Sequence, residues 1–256
     1  MVIDFVSVTL ILLIGSLTGF FSGFLGVGGG FILVPLLIFI GVPAHEAIGS
    51  SLAYIVFIGI TGAIQHYRQK NCSIKTALAM LCGGVITAQI GAIATSYLSS
   101  NILETLLALI LLGTAVRMMV IKDEETTSDN EVCKINVPIA ILIGSVVGFL
   151  SGLLGVGGGF ILVPLMVLIL KVPIHVAVGT SLVAVMGLAA SGAIRHWIIG
   201  NVNLLLVGIL VIGGVIASPL GAIATKRVHA KQLRYIFCTV LFLSAIRLLI
   251  SFLFSK

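Results

Sequence analysis

A thirteen-residue string, GFLGVGGGFILVP from Gly23 to Pro35, returns as GLLGVGGGFILVP from Gly152 to Pro164 with one residue changed. The correspondence extends well beyond the string. Gly19-Phe20 pairs with Gly148-Phe149 at an offset of 129, and after one inserted residue the offset becomes 130. Pro43-x-His45 then meets Pro173-x-His175, Gly49-Ser50-Ser51-Leu52 meets Gly179-Thr180-Ser181-Leu182, and His66 meets His196. Gly83-Gly84 matches Gly213-Gly214, GAIAT at 91–95 recurs at 221–225, and Arg117 matches Arg247. The chain is therefore two copies of one unit, a pattern shared by many secondary transporters.

Those copies are made for lipid. Mean hydropathy is +1.30 and only 9% of residues are charged, too few to clothe a water-soluble surface. The net charge of +6 comes from basic residues scattered over short loops, which orient membrane segments rather than bind nucleic acid. The N-terminus MVIDFVSVTL has no Lys or Arg ahead of its apolar run, so no cleaved secretory signal is expected. Cys72, Cys82, Cys133 and Cys238 show no paired spacing and are expected as small packing residues.

Each half contains five apolar runs, expected near 4–25, 30–42, 47–66, 74–96 and 102–121, then 137–154, 159–172, 177–198, 202–224 and 233–254. The expected fold is an all-α integral membrane protein with repeat 1 at 1–121, an acidic linker at 122–136 and repeat 2 at 137–256. Asp123, Glu124, Glu125, Asp129 and Glu131 make that linker the one polar stretch of any length. In the first half the loop after run three carries Arg68, Lys70 and Lys75, while the loop after run four has no basic residue. In the second half the bias reverses: Arg195 stands alone in the first of these loops, and Lys226, Arg227, Lys231 and Arg234 crowd the second. If basic loops stay in the cytoplasm, the two repeats are inverted, with both termini outside and the linker inside.

The second run of each half holds some 13 residues, about 20 Å of helix against a hydrocarbon core of about 30 Å. One end of it must lie inside the membrane, where irregular backbone survives only against protein or a water-filled cavity. Gly28, Gly29 and Gly30, with Gly157, Gly158 and Gly159, supply the irregular backbone and a helix start. Such a start favours an anion through its free N–H groups and its dipole; tight helix packing is the competing use of the same glycines. A nucleotide loop is excluded, since no strand precedes and no P-loop lysine follows.

Further candidates flank the motif. Ser50, Ser51, Thr180 and Ser181 open the third runs, as helix caps or oxyanion donors. His45 and His175 follow the prolines as turn residues or proton carriers, and His66 and His196 end the third runs as boundary residues or gates. Gln89 offers a mid-run amide where the second copy has Pro219. Asp4, Glu46 and Glu104 all fall at segment edges, so no carboxylate is placed midspan to carry protons or bind cations.

The duplicated GxxGxGGGFxxVP followed by VPxHxAxGTSL resembles the sulfite exporter TauE/SafE family, also called the toluene sulfonate uptake permease family, over both halves. Gly49-Ser50-Ser51 departs mildly from the commoner Gly-Thr-Ser. The resemblance implies a multi-pass protein of the cytoplasmic membrane that moves sulfite, organosulfonates or related small anions, with export expected. It implies the lipid bilayer and the anion as partners and neither cofactor nor metal; a homodimer is left open. A membrane assembly or redox-partner protein is the alternative, and it asks for paired cysteines or a large interaction domain. An intramembrane enzyme is disfavoured because the four paired histidines form no HExxH-type set.

Overall fold

The computed structural model describes residues 5–120 and 136–254, in ten helices. They are α1 (Phe5–Leu25), α2 (Gly30–Phe39), α3 (Ala44–Arg68), α4 (Ile74–Thr95), α5 (Ser100–Val120), α6 (Val137–Leu154), α7 (Gly159–Leu168), α8 (Ile174–Ile198), α9 (Leu204–Thr225) and α10 (Ala230–Phe254). Asp4, Cys133, Lys256 and the five linker acids lie outside the described residues, as does the side chain of Arg247. Seven of these helices are long and apolar enough to cross a membrane, while α2 and α7 have ten residues each.

Local chemistry sets the helix ends. Asn136 and Asn203 cap α6 and α9, accepting from Ile139 N at 3.3 Å and Leu206 N at 3.0 Å. The third run of each half starts about three residues earlier than its apolar pattern, because Pro43 and Pro173 are the N-cap residues of α3 and α8. His45, Glu46 and His175 thereby join first turns that hydropathy alone assigns to loops. The short second helices stop early as well: Gly41 takes φ of 90° and Pro43 follows, so α2 ends at Phe39 rather than 42.

Packing is closest where side chains are smallest. Gly15 of α1 faces Leu210, Gly19 faces Gly214, and Gly23 faces Ser218, so α1 and α9 run parallel. A Cβ on Gly19 would lie 2.6 Å from Gly214 Cα. The other half repeats the arrangement: Gly144 faces Met80, Gly148 faces Gly84, and Gly152 faces Ala88, pairing α6 with α4 in parallel. Helix α3 follows α9, with Tyr54 beside Gly214 and Gly62 beside Ser218; α8 follows α4, with Gly187 beside Leu81 and Ser191 bonded to Val85 O. Between α3 and α8 the order reverses, since Leu52 meets Gly192 and Gly62 meets Leu182. Thus α1, α3 and α9 point one way and α4, α6 and α8 the other. Helices α5 and α10 pack on each other at the side.

Outward faces carry Leu13, Ile86, Leu142, Ile216 and Leu243, the surface expected against acyl chains. No Asp, Glu, Lys or Arg is buried among the described residues. The two halves are not identical inside. Tyr54, fully buried, donates its hydroxyl to Gly15 O at 2.6 Å and lies 3.1 Å from Thr18 Oγ1. In the second half Ala184 stands where Tyr54 does and Val147 where Thr18 does.

The glycine seams should carry much of the stability. Gly148→Val forces side-chain atoms against Gly84 and should cost roughly 1–3 kcal/mol or more, whereas Gly113→Ala, with open space around it, should be neutral. Thermal unfolding of the two variants in detergent checks this; equal melting temperatures would show the seams to be slack.

Candidate functional site

Three left-handed glycines turn the chain at each break. Gly26, Gly28 and Gly29 have φ of 74°, 78° and 76°, and Gly155, Gly157 and Gly158 have 70°, 76° and 76°. Side-chain-bearing residues avoid this region, so the motif is a backbone requirement. The first glycine ends the incoming helix, with Gly26 N on Ser22 O and Gly155 N on Ser151 O. The last positive-φ glycine, Gly29 or Gly158, is the N-cap of the short helix that follows.

Both turns meet at the centre. A Cβ on Gly28 or on Gly157 would touch the side chains of both Ile55 and Val185. These are repeat equivalents that sit near the middle of the 25-residue helices α3 and α8. The turns also touch each other, since a Cβ on Gly30 would lie 2.7 Å from Val156 Cα and one on Gly159 would lie 2.7 Å from Gly26 O. Helices α2 and α7 therefore start at mid-depth, back to back. From there each leads to the start of the next long helix, α3 or α8, and these two starts lie at opposite ends of the bundle because α3 and α8 are antiparallel.

The incoming helices run past the centre, α1 to the last turns of α3 and α9 and α6 to the last turns of α8 and α4, and side chains there meet three carbonyls at each break. For α1, Gly23 O accepts from His66 Nε2 at 2.8 Å, Phe24 O from Thr225 Oγ1 at 2.7 Å, and Gly26 O from Ser181 Oγ at 2.5 Å. For α6, Gly152 O accepts from His196 Nε2 at 3.0 Å, Leu153 O from Thr95 Oγ1 at 3.0 Å, and Gly155 O from Ser51 Oγ at 2.8 Å. Helix starts receive different treatment. Ile32 and Leu33 N reach Gly29 O, and Ile161 and Leu162 N reach Gly158 O. No side chain caps either start, which leaves the N–H groups of Gly30, Phe31, Gly159 and Phe160 ahead of the first helical bonds.

This geometry redistributes the roles expected from sequence. Ser51 and Ser181 lie near the centre and turn their hydroxyls to carbonyls of the opposite half, Ser181 sharing its own with Val178 O at 2.7 Å. Ser50 and Thr180 accept from Asn203 N at 3.0 Å and Ser73 N at 2.9 Å, each anchoring the loop from the other half. None of the four caps its own helix. His66 and His196 are fully buried in the last turns of α3 and α8. His45 bridges Thr95 O and Leu98 O at 3.2 and 3.1 Å, and His175 reaches Val228 O at 3.0 Å, so both fasten the following hairpin. Gln89 lies on the exposed outer face of α4, away from the buried turns, and its amide is not the interior group expected. Sequence reasoning passed over Thr95 and Thr225, although both end the duplicated GAIAT string.

The turns and the side chains around them are buried. A cavity of about 160 Å³ lies at the periphery, between Ile11, Glu46, Asn203 and neighbouring leucines. No cluster of three His, Cys, Asp or Glu residues suited to a metal occurs among the described residues.

Known proteins match most of this chain. Residues 11–248 match the sequence model of the family described as "Sulfite exporter TauE/SafE". "Probable membrane transporter protein YunE" of Bacillus subtilis (strain 168) is 28% identical over 97% of this chain and all of its own length. "Probable membrane transporter protein YdhB" of the same organism is 31% identical over 83% of this chain and 88% of its own. "Probable membrane transporter protein MJ0441" of Methanocaldococcus jannaschii is 29% identical over 91% of both. No solved structure matches.

Removing a carbonyl's donor should loosen the centre. Ser51→Ala strips Gly155 O and Ser181→Ala strips Gly26 O, and each should lower stability by about 1–3 kcal/mol through an unsatisfied buried acceptor. Chemical denaturation in micelles reads the effect; wild-type stability in both variants would mean that other groups or water serve these carbonyls.

Proposed function

The chain belongs to the sulfite exporter TauE/SafE family of membrane transporters, and on that premise we propose that it moves a small sulfur-containing or carboxylate anion outward across the cytoplasmic membrane. The anion is held between the starts of α2 and α7, by the backbone N–H groups of Gly28 to Gly30 and Gly157 to Gly159. One observation carries this reading. Three carbonyls at each break, those of Gly23, Phe24 and Gly26 and of Gly152, Leu153 and Gly155, accept from named side chains, while the two helix starts that adjoin at mid-depth have no side-chain cap. In a medium without water a free donor is costly, and a ligand of negative charge repays that cost. Discontinuous helices meeting at the interface of two repeats are where secondary transporters bind substrate.

On this reading the halves form inverted repeats. Antiparallel α3 and α8, and the opposed directions of α1 and α6, support it, as does the reversed basic bias of the loops at 67–75 and 225–234. His66 and His196, each bonded to the end of a broken helix, are positioned as gates toward opposite faces. An anion leaving a cell that is negative inside runs downhill by about 2.3 kcal/mol per charge per 100 mV. Export then needs no coupling ion, in keeping with an interior free of buried carboxylates among the described residues.

Purified protein in liposomes tests the transport reading. Counterflow of labelled sulfite, sulfonates and carboxylates should reveal at least one carried anion, and an imposed potential should drive it from the negative side. Flux that ignores potential and follows a proton gradient would replace this scheme with proton–anion symport, with His45 or His175 as carrier.

Topology has its own check. In a cysteine-free background, Asn71→Cys and Ala230→Cys should both be shielded from an impermeant external thiol reagent. Labelling at one position and not the other would dismiss the inverted arrangement.

A further inference from the structure

Beside each helix start stands a hydroxyl that nothing in the protein uses. Ser22 of α1 and Ser151 of α6 are repeat equivalents, 0% and 1% exposed, and both Oγ atoms lack a hydrogen-bond partner. Among the described residues they are the only buried hydroxyls in that condition. A helical serine or threonine ordinarily turns back to a carbonyl one turn earlier. Thr18, one turn before Ser22, does so, donating to Ile14 O at 2.7 Å. Ser22 and Ser151 do not, although burying an unpaired hydroxyl is unfavourable.

Their position explains the exception. Ser22 Cβ lies 3.4 Å from the place a Cβ on Gly29 would take, and Ser151 Cβ lies 3.5 Å from the same place on Gly158. Gly29 and Gly158 are the uncapped N-caps of α2 and α7. Each helix start thus has a serine with an idle hydroxyl beside its N-cap, and Gly28 and Gly157, next to the two N-caps, both touch Ile55 and Val185.

We propose that Ser22 and Ser151 each ligate the transported anion at its own helix start, as the two equivalent halves of a duplicated site for a singly charged oxyanion. This rests on the anion-transport reading above and adds to it the hydroxyl donors and the charge. The charge follows from what surrounds the site. No Asp, Glu, Lys or Arg is buried among the described residues, so the positive potential comes from the helix starts. Each contributes about half an elementary charge, and together they offset about one negative charge. A dianion would keep an uncompensated charge in apolar surroundings. Ile55 and Val185 set hydrocarbon against Gly28 and Gly157 and suit an apolar substituent.

The test uses the full chain in liposomes, labelled methanesulfonate as probe and sulfate as a dianionic competitor of similar size. Ser22→Ala and Ser151→Ala should each raise the half-saturating methanesulfonate concentration about tenfold or more, with melting temperature unchanged or higher, because an idle hydroxyl is removed. Ser191→Ala supplies the contrast: its hydroxyl donates to Val85 O at 2.6 Å outside the site, so it should lower melting and leave affinity alone. Sulfate should compete poorly. Wild-type affinity in both alanine variants overturns the assignment, as does affinity loss that tracks a lowered melting temperature. Competition by sulfate equal to that of unlabelled methanesulfonate overturns the charge. A wild-type protein that carries no anion at all defeats the transport reading itself, and this inference with it.

Discussion

A peptide group in hydrocarbon has no water to turn to, and that single constraint governs the centre of this protein. Breaking the chain inside the bundle exposes both a set of carbonyls, at the ends of α1 and α6, and a set of N–H groups, at the starts of α2 and α7. Each break is mended on one side only. Carbonyls of α1 receive His66, Thr225 and Ser181, and those of α6 receive His196, Thr95 and Ser51. Four of these six donors come from the opposite half of the chain. Neither half can therefore finish its own break, and the long-range contacts between halves are a direct result of local backbone chemistry.

The same exchange organises the packing. Because α1 lies against α9 and α4 against α6, the tight pairs each mix the two copies. Glycine-to-glycine approach gives these pairs many weak contacts over a long seam instead of a few large ones. It also brings the pieces of the centre within reach: hydroxyls of about two carbons' length reach carbonyls on neighbouring helices only because the backbones are so close.

Much of this was legible in the residues. Run lengths and the glycine string located all ten helices, because apolar length and positive-φ glycine are properties of short segments. What a side chain touches was harder. Ser51 and Ser181 look like helix caps or substrate donors until their partners, 104 and 155 residues away, come into place. Gln89 was misjudged because a single position says nothing about which face is buried. A stripe of small residues does say so: Gly84, Ala88, Gly91 and Thr95 line the inner side of α4, and Gln89 falls off that line. Ser22 and Ser151 carry a signal only in duplicate, as equivalent serines one residue before Gly23 and Gly152.

The crossed helix pairs also set an order of assembly. Gly84 precedes its partner Gly148 by 64 residues, but Gly19 precedes Gly214 by 195. At a translation rate of about 5–20 residues per second, α6 reaches α4 within roughly 3–13 s, whereas α1 waits roughly 10–40 s for α9. During that interval the first helix stands in the bilayer with its glycine edge against lipid and Phe24 O without Thr225. The element made earliest is completed among the last, so the newborn protein spends most of its synthesis with one of its two breaks open to whatever else the membrane holds.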